Sequence, residues 1–221
     1  MDLAALIVAI ASGIIALGSA GYTRMAARAN RRSADADEIT AALEGDRRHA
    51  ELTPRLRVRC APANAGSEDF KLTVELLGPP ELGGLDSLEV TIRNDNPWRG
   101  QGTPLAGGPS PEAVAAHLWS PLRFKSGTGP GADPVNGVPG ADPTGRTTPT
   151  SGFPVGEALP FFLEPTTPPV WSEGQSSQDW RRERGTVLRL SFLCGKDGTE
   201  WTLVGEIDTQ TDNAVIIPER H

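Results

Sequence analysis

Arg55-Leu56-Arg57-Val58-Arg59-Cys60 alternates without a break: Leu56, Val58 and Cys60 fall on one side and three arginines on the other. Successive side chains of extended backbone point to opposite faces, so a period of two marks a strand with one buried face. The pattern recurs downstream. Phe70, Leu72, Val74 and Leu76 alternate with Lys71, Thr73 and Glu75, and Leu88, Val90 and Ile92 line one face of the next run. Gly78-Pro79-Pro80-Glu81-Leu82-Gly83-Gly84 supplies the turn between these two runs. Further strands are expected at Ala158 to Glu164 and at Thr186 to Cys194, where Leu188, Leu190, Phe192 and Cys194 share a face. Gly195-Lys196-Asp197-Gly198 is a tight turn that returns the chain along Glu200 to Ile207.

About seven short strands with turn signals between them predict a mainly β fold over 52–208, an antiparallel β-sandwich of immunoglobulin-like size. Residues 209–221 form a polar tail in which Ala214-Val215-Ile216-Ile217 can add an edge strand. The middle of the chain carries weaker signals. Ser110, Pro111 and Glu112 open a short helix to Trp119, with Ser110 as its cap. Trp119 to Phe124 is a short strand that Pro121 restricts to an edge. Ser126 to Gly152 is mostly Gly, Pro, Thr, Asp and Asn and offers little to bury, which predicts a disordered insertion at 126–152.

Ahead of the strands lies Leu3 to Tyr22, twenty residues without a charge. As a helix they extend about 30 Å, the thickness of a bilayer core, so 3–22 is expected to be a transmembrane helix. Asp2 precedes it, and Arg24, Arg28, Arg31 and Arg32 follow it. Positive charge stays inside, which predicts a single pass of the cell (inner) membrane with the N-terminus outside and the body in the cytoplasm. The rival is a cleaved signal peptide, for which Gly18-Ser19-Ala20 would be the cleavage site. Asp2 has the wrong sign for it, and the apolar run is long. Ala5, Ala9 and Gly13 are four apart, the small-residue spacing through which two such helices would form a homodimer. Residues 23–48 continue as a basic, then mixed-charge juxtamembrane helix that Gly45 is expected to end, with Pro54 beyond.

The net charge is −7, and from His49 onward 15 Lys/Arg face 22 Asp/Glu. Such a body is a poor ligand for nucleic acid, which must have its phosphates neutralised. Anionic lipid should repel it, which confines membrane contact to the arginine segment.

Two cysteines, Cys60 and Cys194, fit no metal or redox motif. Both fall on inward faces. In the cytoplasm they are expected as free thiols, whereas an exported, membrane-anchored immunoglobulin-like domain would join them in a disulfide. His49, His117 and His221 have no metal-ligand spacing, no GxSxG motif occurs, and no glycine loop ends in Lys-Ser/Thr. No cofactor or metal is therefore expected. Glu157, Glu164 and Asp95 are the carboxylates a less favoured reading, a carboxylate-dependent hydrolase, would use.

Of the five tryptophans, Trp201 and Trp119 are expected in the core and at the sandwich edge. Trp98, Trp171 and Trp180 are expected in loops. With Arg99 and Arg181 they form a candidate interaction surface, since Trp and Arg are enriched at binding hot spots.

The run Asp95, Trp98-Arg99, Trp119-Ser120-Pro121-Leu122-Arg123-Phe124, Val155-Gly156-Glu157, Leu163-Glu164-Pro165 and Arg189-Leu190, with Cys194, Gly198 and Trp201, resembles uncharacterised membrane-tethered proteins of actinobacteria. The resemblance covers most of the region after Leu52 and implies kinship without a known activity. The expected function is a non-enzymatic interaction module, held at the membrane, whose loops bind another protein.

Overall fold

The computed structural model describes residues 37–94, 108–133, 135–136, 138–172, 174–211 and 213–218. The stretch 3–22 with Ala5, Ala9 and Gly13 lies outside them, as do Arg24, Arg28, Arg31, Arg32, Asp95, Trp98 and Arg99. The chain divides into two compact units, Met1–Glu51 and Leu52–His221.

In the first unit, residues 37–51 form a helix, α1, exposed along its length. Gly45 does not end it, contrary to the expectation. A mid-helix glycine costs only about 1 kcal/mol relative to alanine, and the turn beyond is held by Arg47 Nε donating to Glu51 Oε1 at 2.8 Å. Among the described residues, no helix is long and apolar enough to cross a membrane.

The second unit is mainly β. Its strands are β1 (Arg55–Pro62), β2 (Phe70–Gly78), β3 (Gly84–Ile92), β4 (Leu122–Phe124), β5 (Ala132–Asp133), β6 (Val138–Pro139), β7 (Thr147–Pro154), β8 (Ala158–Pro165), β9 (Val187–Lys196), β10 (Thr199–Asp208) and β11 (Val215–Ile217). Two short helices, α2 (Pro111–Ala116) and α3 (Ser177–Arg184), lie between strands. One antiparallel sheet has the order β11-β1-β2-β8-β4, the other the order β10-β9-β3-β7, and β5 and β6 form a small separate hairpin. Leu56, Val58, Leu72 and Val74 from the first sheet join Leu88, Val90, Leu190 and Phe192 from the second in one core. That shared core is why the strands of both sheets alternate, and it makes the unit sandwich-like. The β9–β10 turn is Asp197-Gly198, with φ of 48° and 76°, the twist a two-residue hairpin requires.

Cys60 and Cys194 are buried free thiols. Burial pushes both up to about 12.

One expectation about the chain's course needs correction. It concerns 126–152, which holds the β5–β6 hairpin and whose last six residues begin β7; β7 runs antiparallel to β3, with Thr91 opposite Thr147. Inward-facing Thr148 and Thr150 carry it instead of aliphatic residues, so no apolar alternation announces it. The loop before it is ordered by Asp142. Its Oδ1 accepts Arg146 N–H at 2.8 Å and the Thr144 hydroxyl at 2.9 Å. Gly145, at φ 71°, lets this loop close on β4, where Phe124 N–H donates to the Gly145 carbonyl at 2.7 Å. A side chain at Gly145 would meet the Phe124 carbonyl at 2.6 Å. These glycines serve close approach. In the tail, the edge strand expected at Ala214 to Ile217 is present: β11 pairs with β1 at the edge of the first sheet, and Ile217 is buried against Gly205.

Candidate functional site

One end of the sandwich gathers α2, the segment 117–121, the Pro-rich segment 166–170 and α3. Local chemistry sets each piece. Ser110 caps α2 by accepting Ala113 N–H at 3.2 Å, and Pro111 occupies the first turn. Ser176 caps α3 by accepting Asp179 N–H at 3.1 Å. Asn94, just after β3 and 5 % exposed, fastens the exit of α2 to the sheet. Its Nδ2 donates to the His117 carbonyl at 2.8 Å, and its Oδ1 accepts Trp119 N–H at 2.8 Å.

These ties assemble a cluster of His117, Trp119, Trp171, Trp180 and Arg184. The His117 ring makes edge contacts with Trp119, Trp171 and Trp180 at centroid distances of 5.0, 5.7 and 5.4 Å. Trp180, 1 % exposed, donates from Nε1 to Thr166 Oγ1 at 2.9 Å. The Thr166 hydroxyl in turn donates to the Ser120 carbonyl at 2.6 Å, linking α3 to the 117–121 segment. The Arg184 guanidinium lies over Trp180, 4.1 Å from the ring centre, and 5.2 Å from that of Trp119.

Two clefts flank the cluster. One, of about 290 Å³, is lined by His117, Arg123, Thr166, Pro168, Pro169 and Trp171 among others. The other, of about 480 Å³, runs past Glu68, Phe70, Pro121, Pro165, Arg181 and Arg182. Burial lowers the pKa of His117, and the Arg184 charge lowers it further, so the imidazole is neutral at pH 7. Arg184 is lowered by its own burial, against the pull of Glu183.

The candidate surface named from sequence is therefore redrawn. Trp180 is not an exposed loop residue: it sits on α3 and points inward. Trp171 does lie in a turn and is half-buried. Arg181 donates to Glu68 Oε1 at 2.9 Å at the mouth of the larger cleft. Trp119 and Trp201 are buried, as expected. Sequence reasoning missed His117 and Arg184 as members of one group. The signal that could have found α3 was Ser176 with Asp179 three residues later, a capping pattern, followed by Gly185.

Glu164 accepts Arg123 Nε at 2.8 Å, while Glu157 lies exposed in the turn before β8. Seven residues of extended chain separate them by about 23 Å, far beyond the span of about 5–9.5 Å that a glycosidase pair uses. Among the described residues, no group of three or more His, Cys, Asp or Glu could hold a metal ion.

Comparison with family models, curated proteins and solved structures finds no match. The resemblance to actinobacterial membrane-tethered proteins rests on the sequence motifs alone.

Proposed function

We propose that the chain is a single-pass membrane protein of the cell membrane, with its N-terminus outside. It would present a non-enzymatic, immunoglobulin-like β-sandwich in the cytoplasm, where the α2–α3 end binds a partner protein. The observation that carries the binding end is the turn Pro169-Val170-Trp171. Val170 is 95 % exposed, directly beside half-buried Trp171 and a cleft walled by Pro168 and Pro169. An exposed aliphatic and a partly covered tryptophan on the rim of a cleft are the makings of a hot spot. The opposite-sign pair Arg123–Glu164 lies beside it, with Arg123 lining the same cleft, and helps set orientation more than strength.

Crosslinking in the cell from a photoreactive residue at position 170 tests this reading. We expect one dominant protein adduct that disappears in Trp171→Ala and persists in Val204→Asp, a change at an exposed residue of β10. Equal adducts from positions 170 and 204, or none from 170, would remove the binding end from the proposal.

A further inference from the structure

Five buried side-chain atoms among the described residues have no hydrogen-bond partner: Arg55 Nε, His117 Nε2, Ser120 Oγ, Arg184 Nε and Arg184 Nη1. Four of the five belong to the aromatic cluster or to the segment that adjoins it. Buried donors are nearly always satisfied, and a charged group left short of acceptors is the most costly kind.

Arg184 is such a group. Its side chain is only 7 % exposed, and among the described residues its one carboxylate neighbour is Glu183, at 3.5 Å from Nη2. That Glu183 oxygen already accepts Gln175 Nε2 at 2.8 Å. The Trp180 and Trp119 faces stabilise the cation, but Nε and Nη1 have no hydrogen-bond acceptor. The other arginines of this end are better supplied: Arg123 has Glu164, Arg181 has Glu68 and Arg182 has Asp179. The Arg184 guanidinium is thus a buried cation held without a full set of acceptors.

His117 supplies the second donor and the route. Its ring lines the smaller cleft beside Trp171, while its Nε2 is buried without a partner. We propose that Arg184 and His117 form the floor of a site for a single carboxylate group, entered from the cleft at Trp171. The guanidinium gives the charge and the imidazole, protonated at Nε2, gives a neutral N–H. Trp171 lies half-buried in a turn with its ring centre 5.7 Å from that of His117, and entry requires it to move aside. One formal charge in a body of net acidic composition suits a monoanion. A phosphate group carries about −1.5 to −2 near pH 7, and the other cation of the cleft, Arg123, is already paired with Glu164. The inference rests on the reading of this end as the binding end and supplies the chemistry of what enters: a chain-terminal or side-chain carboxylate of the partner.

Small probes test it on the full chain in detergent at pH 7.5. N-acetylglycine, its uncharged amide and inorganic phosphate are titrated at constant ionic strength, with tryptophan fluorescence and the His117 imidazole resonances as readouts. We expect a saturable response to N-acetylglycine, none to the amide, and at least about tenfold weaker binding of phosphate, as loss of a charged hydrogen bond costs about 1.5–3 kcal/mol. Arg184→Gln should abolish the response, and Arg57→Gln, on β1 in an exposed ion pair with Glu75, should leave it within about twofold. If Arg184→Gln does not fold, His117→Gln serves in its place and should weaken binding about tenfold. A linear response, equal responses to acid and amide, equal binding of phosphate, or an unaffected Arg184→Gln overturns the site. A failed crosslink at position 170 with intact N-acetylglycine binding would sink the partner reading and leave this site standing.

Discussion

His117 shows how much one position can depend on its neighbours. On the sequence it is a lone histidine without a metal-ligand partner. In the fold its carbonyl is held by Asn94 and its ring by three tryptophans, with Arg184 as the charged group closest to its electrostatics. Desolvation first, and Arg184 second, lower its pKa below the ordinary 6.5. The unfolded chain then binds a proton before the folded chain does as pH falls. His117 therefore contributes stability that is fully present above pH 6.5 and is lost as pH falls through the folded-state value. Asp86, Glu112, Asp133 and Asp208 are also lowered, which gives the same sign, but from ordinary values of 3.8 and 4.5. The two windows separate. Urea unfolding between about pH 5 and 7.5 should show stability rising with pH in the wild type, and His117→Gln should flatten that rise. An unchanged slope in the variant would mean that the ring is solvated. None of this was legible in the sequence, because the shift comes from rings contributed by 119, 171 and 180, and nothing in their spacing announces that they meet.

At the level of elements, visibility followed the source of burial. β1, β2, β3 and β9 bury aliphatic residues on one face and are plain from period two, and β10 follows from the Gly195–Gly198 turn before it. β7 was hidden because its inward positions include Thr148 and Thr150, and because the glycines and prolines around it suggest flexibility by composition. The same glycines are where the ordered loop is most easily broken. Gly145 combines a φ of 71° with a backbone carbonyl 2.6 Å from any added Cβ, and that carbonyl belongs to β4. A side chain on Gly131 would meet the Pro149 carbonyl of β7 at ordinary φ. Gly145→Ala therefore adds strain to a steric clash, whereas Gly131→Ala adds the clash alone. We expect Gly145→Ala to lose about 1–3 kcal/mol, with faster amide exchange at Phe124 and Ile92, whose N–H groups donate to Gly145 and Arg146. Wild-type protection at both amides in Gly145→Ala would show that the loop does not brace either sheet. α3 was missed for the opposite reason. Its sequence is polar, and its single buried residue, Trp180, provides no stripe to count.

For the whole molecule, the proposed tether and the two cysteines bear on each other. The apolar stretch at 3–22 preceded by Asp2 and followed by Arg24, Arg28, Arg31 and Arg32 argues for a cytoplasmic body by the placement of positive charge. Cys60 and Cys194, buried as free thiols, suit a reducing compartment. Their chemistry gives a readout independent of any fusion reporter. Burial raises both thiols from 9.0 to about 12, so at pH 8 the folded protein holds them protonated and unreactive. Each also contributes stability that is fully present below pH 9.0 and is lost as pH rises towards about 12. Protein from cells, alkylated at pH 8 without reductant, should take up almost no label while folded and label at both cysteines once denatured. A C-terminal reporter that matures only outside the cytoplasm should stay silent in the same cells. Replacing the four arginines with serine removes the charge bias and should raise that reporter's signal, because the apolar stretch itself has no preferred direction. Denatured protein that resists labelling until it is reduced, together with an active external reporter, would place the body outside and reverse the proposed orientation.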